Sequence, residues 1–158
     1  MKIGLLIHSF SGNTLSVGTR LKVHLEVQGH RVHMDQIIDA NENPKSDRPV
    51  TLTHIPDINY YDIIIFGAPV RAFSLSPVMT AYLKQINCIE NIKVFAYVTE
   101  GLPKPWMGGN RAIRKMISLL DTKSIKILDT AVINWSSRKK EMQIDSMLNR
   151  FSERIDSL

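Results

Sequence analysis

Apolar and polar positions along this chain switch repeatedly between two periods. Residues 2–8, KIGLLIH, are mostly apolar, which predicts a strand covered on both faces. Val17, Leu21 and Leu25 then recur every four residues, predicting a helix over 13–28 that stops at Gly29. Residues 31–36 predict a second strand, with Val32 and Met34 on one face. Residues 61–67, YDIIIFG, predict a third buried strand. Ser76 is a good N-cap and Pro77 suits a first helical turn, so a helix follows, with Met79, Leu83 and Ile86 as its apolar stripe. Residues 93–99 predict a fourth strand, Ile113, Ile117 and Leu120 a helix at 110–121, and residues 125–134 a fifth strand. Ile144, Met147, Leu148, Phe151 and Ile155 mark a last helix.

The alternation breaks between 39 and 57. This stretch is polar and holds Pro44, Pro49 and Pro56, so irregular chain is expected, with a short extended piece at 50–55. Doubly apolar strands alternating with helices imply an α/β fold: a doubly wound, five-stranded parallel sheet in a three-layer sandwich. The expected strand order is 2-1-3-4-5, in a single domain spanning 1–158. Ligands of such sheets sit beyond the carboxyl ends of the strands. Three loops leave those ends, 8–14, 67–76 and 99–109, and should converge.

Composition narrows the partners. The chain has 20 Lys and Arg against 15 Asp and Glu, a net charge of +5, which favours acidic or phosphorylated partners. Zinc-finger spacing, RNP-like aromatics and a long basic run are all missing, so nucleic acid is not expected. Arg138, Lys139 and Lys140 read as the solvated start of the last helix. No apolar run is long enough to span a bilayer, and MKIGLLIH reads as a strand, not a signal peptide. The single cysteine, Cys88, fits a reducing, cytoplasmic setting. His30 and His33 fall on opposite faces of a strand, so no metal site is expected. No Ser/His/Asp or Cys/His arrangement is visible. His8 reads as a packed, hydrogen-bonded residue next to the first loop.

That first loop, HSFSGNT, carries the clearest chemistry. It ends at a helix N-terminus, where unpaired N–H groups and the helix dipole favour an anion. Ser9, Ser11 and Thr14 add hydroxyls, and Gly12 lets the backbone close on an oxygen atom. This suits a phosphate held without a lysine. The loop matches neither GxxxxGK[ST] nor GxGxxG.

SFSGNT resembles the phosphate loop of flavodoxins, which bind flavin mononucleotide (FMN). FGAPVRAFSLSP resembles their second flavin loop, and VTEGLPKPWMGGNRA falls where the third lies. The resemblance covers nearly the whole chain. It implies that Ser9, Phe10, Ser11, Gly12, Asn13 and Thr14 hold the phosphate. It implies that Ala68, Pro69, Val70, Arg71, Ala72 and Phe73 line one side of the isoalloxazine. Glu100, Gly101, Trp106, Gly108 and Gly109 would close the other side, with Phe73 and Trp106 as stacking candidates.

Three departures from the family bear on function. Arg71 stands where many relatives place a large aromatic; a guanidinium there would stack on the ring or lie against its edge and favour the reduced flavin. No glycine lies between Ala68 and Pro77, so a positive-φ flip is costlier and weaker stabilisation of one-electron-reduced flavin is expected. The chain is basic, whereas electron-shuttling flavodoxins are usually acidic, and Arg71, Lys104, Arg111, Arg114 and Lys115 would ring the site. The resemblance implies a redox protein that exchanges electrons with a protein partner. The alternative is an NAD(P)H-dependent reductase of quinones or other small acceptors, for which the partner is a nicotinamide cofactor. Some reductases of this fold build the site across a homodimer, which leaves the oligomeric state open.

Overall fold

The computed structural model describes residues 1–41, 49–87 and 90–158. Five parallel strands form its centre: β1 (Lys2–Ile7), β2 (Arg31–Gln36), β5 (Ile63–Arg71), β7 (Lys93–Glu100) and β8 (Ile127–Asn134). They lie in the order β2-β1-β5-β7-β8. Counting these five alone, that is the expected 2-1-3-4-5.

Side-chain alternation explains why the sheet needs cover on both faces. Ile3, Leu5, Ile7, Ile63, Ile65, Phe95 and Tyr97 project into one core. There they meet α1 (Asn13–Val27) and α4 (Lys140–Asp156) through Val17, Leu21, Leu25, Ile144, Met147 and Phe151. Leu6, Ile64, Phe66, Ala68, Val94, Ala96 and Val98 project into the other. That side is covered by α2 (Pro77–Gln85) and α3 (Gly109–Asp121) through Met79, Leu83, Ala112, Met116 and Leu120. The period of 2 and the unbroken apolar runs are thus the same fact seen twice.

Three segments differ from the sequence reading. The polar stretch after β2 contains a small antiparallel pair, β3 (Ile38–Asp39) with β4 (Leu52–His54). Pro44 and Cys88 lie outside the described residues. The expected loop 67–76 is mostly strand: β5 runs on to Arg71 and turns back as β6 (Ser74–Leu75). Val70 pairs with Leu75 and Arg71 with Ser74, and the Ser76 amide donates to the Pro69 carbonyl at 3.2 Å. Pairing beyond the sheet satisfies backbone groups that a plain loop would expose. The last strand begins at Ile127 and not at Ile125, which is instead a core residue.

The N-terminus of α1 is seated by one aromatic residue. Tyr97 lies flat over Gly67, and its hydroxyl donates to the Thr14 carbonyl at 2.7 Å. A Cβ on Gly67 would fall 2.5 Å from the Tyr97 ring, and one on Gly18 would fall 2.2 Å from Ile7. Gly67→Ala is therefore expected to cost about 1–3 kcal/mol by overpacking. Urea unfolding checks it: the midpoint should fall at constant slope. Gly101→Ala, with open space at its Cβ, should leave the midpoint unchanged.

Candidate functional site

All five parallel strands end at one edge of the sheet. Three segments meet there: loop 8–12, the β5–β6 hairpin, and residues 101–108 between β7 and α3. Gly108 joins the last two. A Cβ at this position would sit 2.8 Å from Val70 and 3.0 Å from the Phe73 Cα, so backbone meets backbone there. Its φ of 137° also favours glycine.

The first loop has an open floor. Gly12 is the N-cap of α1 at φ 92°, supplies no side-chain cap, and has nothing within 4 Å of its Cβ position. Ser9 takes the capping part instead: its Oγ accepts the Leu15 amide at 3.2 Å, leaving its own hydrogen to donate elsewhere. Ser11 is exposed and Asn13 half-buried. Thr14 is buried, with its hydroxyl 2.7 Å from that of Thr99. It therefore links α1 to β7 and is not displayed on the loop surface.

Arg71 reaches across to the first loop. The guanidinium carbon lies 4.9 Å from the centre of the Phe10 ring, so hairpin and first loop are strapped together by a cation–π contact. Arg71 also acts on His8. This histidine is buried and its Nδ1 lies 2.9 Å from the Ser76 hydroxyl, which in turn accepts the Met79 amide. Burial first, then the Arg71 charge, lowers its pKa from 6.5 to about 4, against a small opposing pull from Asp39.

The hairpin tip holds a second surprise. Ala72 and Phe73 adopt φ of 47° and 59°. The missing glycine does not keep this turn out of the left-handed region; the ladder on either side imposes it. Each residue costs about 1–2 kcal/mol in that conformation.

On the far side, Glu100 faces inward. Its carboxylate accepts the Gly109 amide at 3.0 Å and the Asn134 side-chain amide. Asn134 also donates to the Leu102 carbonyl at 3.1 Å and exchanges two hydrogen bonds with Gln143. Burial raises the Glu100 pKa, while both donors pull it back. Glu100 is thus the anchor of the third loop and of the α3 N-terminus. Asn134, Gln143 and Thr99 are parts of the site that sequence reasoning missed, because lone polar residues at strand ends carry no pattern.

A cleft of about 170 Å³ runs between hairpin and third loop, lined by Val70, Ala72, Phe73, Glu100, Gly101, Leu102 and Met107. Pro69 is half-buried beside it, and Ala68 belongs wholly to the core. Such a volume is below the range of about 300–1,000 Å³ usual for a cofactor pocket. Around it stand exposed aromatics: Trp106 at 74%, Phe73 at 62% and Phe10 at 41% exposure. A flat aromatic ligand would cover these side chains more than it would fill the cleft. A helix N-terminus capped by Ser9 at the Leu15 amide alone, on one side, and exposed aromatics on the other suit a molecule with a phosphate at one end and a planar ring at the other.

No protein-family model matches this sequence, and no curated protein matches it. Solved structures do. The chain is similar to oxidised Flavodoxin 1 from Bacillus cereus, 14% identical, TM-score 0.69, over 100% of this chain and 99% of that one. It is similar to a flavoprotein in complex with FMN from Lactobacillus acidophilus NCFM, 15% identical, TM-score 0.58, over 92% and 97%. A rubredoxin oxygen:oxidoreductase from Desulfovibrio gigas is 13% identical, TM-score 0.70, with 99% of this chain matched to 36% of that one. At these identities the likeness is one of fold, and the fold is that of flavodoxins.

His8 gives the site a pH signature. Its folded pKa of about 4 lies below the ordinary 6.5, so the unfolded chain binds the proton more readily between those values. Stability is full above pH 6.5 and is lost as pH falls towards 4. From pH 7.5 to pH 5 we expect a loss of about 2 kcal/mol from this group, measured by urea unfolding at both pH values. The non-titrating His8→Asn variant should lose most of that slope.

Proposed function

We propose that this protein binds one FMN noncovalently at the strand-end edge and exchanges electrons with another redox protein. The observation that carries this reading is the pairing, at one edge of a flavodoxin fold, of a helix N-terminus whose Ser9 cap reaches only the Leu15 amide with the exposed aromatic side chains of Phe73 and Trp106. Neither feature stabilises the chain by itself: the first leaves N–H groups open and the second leaves apolar area in water. A ligand with a phosphate and a planar ring would satisfy both.

In this reading Ser9, Ser11 and the backbone at Gly12, Asn13 and Thr14 hold the phosphate. Phe10 and Arg71 roof that loop as a stacked pair. The hairpin segment Pro69–Phe73 and the segment Gly101–Gly109 flank the ring, with Phe73 and Trp106 giving apolar cover, while Ala68, expected at the ring, lies in the core. Glu100 acts through Gly109 and Asn134 as a positioning residue. Bound there, FMN supplies the reversible uptake and release of electrons; the protein supplies binding, orientation and electrostatics. The Arg71 guanidinium favours any anion held near it. A reducing, cytoplasmic setting accompanies this reading, consistent with a single cysteine. Among the described residues, no helix is long and apolar enough to cross a membrane.

Two measurements test the proposal. Ser11→Ala should weaken FMN binding by about 1.5–3 kcal/mol, the range for a hydrogen bond to a charged group, in a fluorescence titration. Unchanged affinity would remove the phosphate loop from the reading. An anaerobic titration of the FMN-loaded protein then separates carrier from reductase. We expect no bleaching by NADH or NADPH and stepwise bleaching by dithionite. Rapid bleaching by a nicotinamide would instead make the protein a reductase of small acceptors.

A further inference from the structure

Positive charge is concentrated in one part of this molecule. The chain holds 20 basic and 15 acidic residues. Residues 101–120 contain four of the basic ones, Lys104, Arg111, Arg114 and Lys115, and no acidic one. The rest of the chain carries 16 against 15 and is close to neutral. With Asp121 at the end of α3, the third loop and α3 carry a net +3, more than half of the chain's +5.

These four side chains have no role within the fold. All are exposed, and among the described residues none takes part in an ion pair, whereas Arg20, Lys22 and Arg150 each have a carboxylate partner. The opposite face of α3 is buried through Ala112, Ile113, Met116 and Leu120, which leaves the cations on the outer face. Arg111 stands in the first helical turn, which holds no acidic residue of its own. A cation at that end opposes the helix dipole and costs about 0.3–1 kcal/mol. In the same segment Trp106 and Leu102 are exposed. Four separated cations are few for a nucleic-acid backbone, which draws on about 6–10 phosphate contacts for tight binding.

We propose that the third loop and the outer face of α3 form a docking surface for an acidic redox protein. Lys104, Arg111, Arg114 and Lys115, all exposed, meet the partner's carboxylates beside the flavin edge. The redox character of the partner rests on the function proposed above; its acidity rests on the charge distribution alone. Opposite charges on the two surfaces steer encounter and fix orientation, so the interaction should be fast and salt-sensitive.

The test uses an acidic ferredoxin and a basic cytochrome c as probes, with a 20-base-pair DNA duplex as competitor. Binding to the immobilised full chain is measured with and without FMN. At about 20 mM salt the ferredoxin should bind and the cytochrome should not, and about 200 mM salt should weaken binding at least tenfold. The triple variant Arg111→Glu, Arg114→Glu, Lys115→Glu should lose at least tenfold in affinity for ferredoxin. Its fold is not at risk, since all three side chains are exposed and an acid in the first turn favours the helix. Equal binding by wild type and triple variant, or tighter binding of DNA through the same residues, would overturn the proposal. Failure to take up FMN, with ferredoxin binding still lost in the triple variant, would refute the flavin reading and leave the docking surface standing.

Discussion

The geometry of this edge depends on one close approach. Tyr97 can lie across the sheet only because position 67 has no side chain, and α1 can come down onto Tyr97 only because position 18 has none. The reward is a buried hydrogen bond from the Tyr97 hydroxyl to the Thr14 carbonyl, in the first turn of α1. Burial also holds the phenol far above its ordinary pKa, so the donor is permanent. The Thr14 to Thr99 hydroxyl contact adds a second tie between the same turn and the same strand. A helix N-terminus attracts an anion only if its amides are held at a fixed place. Here that place is set by a strand in the middle of the sheet, not by the loop itself.

The third loop is fixed by a different device. Glu100 is a buried carboxylate, and a buried charge is tolerable only when donors surround it. Gly109 and Asn134 provide them, and Gln143 on α4 in turn fixes Asn134. This short network joins the ends of β7 and β8 to α3 and α4, one helix from each face of the sheet. It explains how residues 101–108, with little regular structure, stay close to the hairpin. Satisfied polar groups at a strand end thus do locally what apolar packing does in the two cores.

Much of this was legible in the sequence because it rests on period. The parallel order, the two-sided core and the converging loops all follow from apolar runs of strand length alternating with helical stripes. Pro77 and Ser76 announced a helix start, and Ser76 does accept the Met79 amide. What escaped was the chemistry of single polar residues. Nothing around Asn134 or Thr99 separates them from any strand-end polar residue, and their roles depend on partners 34 and 85 positions away. Arg71 was singled out correctly as unusual, yet its contact with Phe10 depends on a hairpin that no turn signal marked. A two-residue turn of this type normally calls for Asn-Gly, and Ala-Phe gives no such hint.

That turn also shows how the site is kept in shape. Ala72 and Phe73 are both held at positive φ, and Phe73 gains little by burial, since most of it lies in solvent. The cost of the turn must therefore be offset by its surroundings. Three contacts do this: the Val70–Leu75 and Arg71–Ser74 pairings, the Arg71 stack on Phe10, and the backbone contact with Gly108. Each of the three ends on a different segment of the edge. The tip cannot relax without loosening the first loop through Phe10 and the third through Gly108. The three loops therefore behave as one unit, and the strain at the tip is the cost of holding an exposed aromatic where a ligand can cover it.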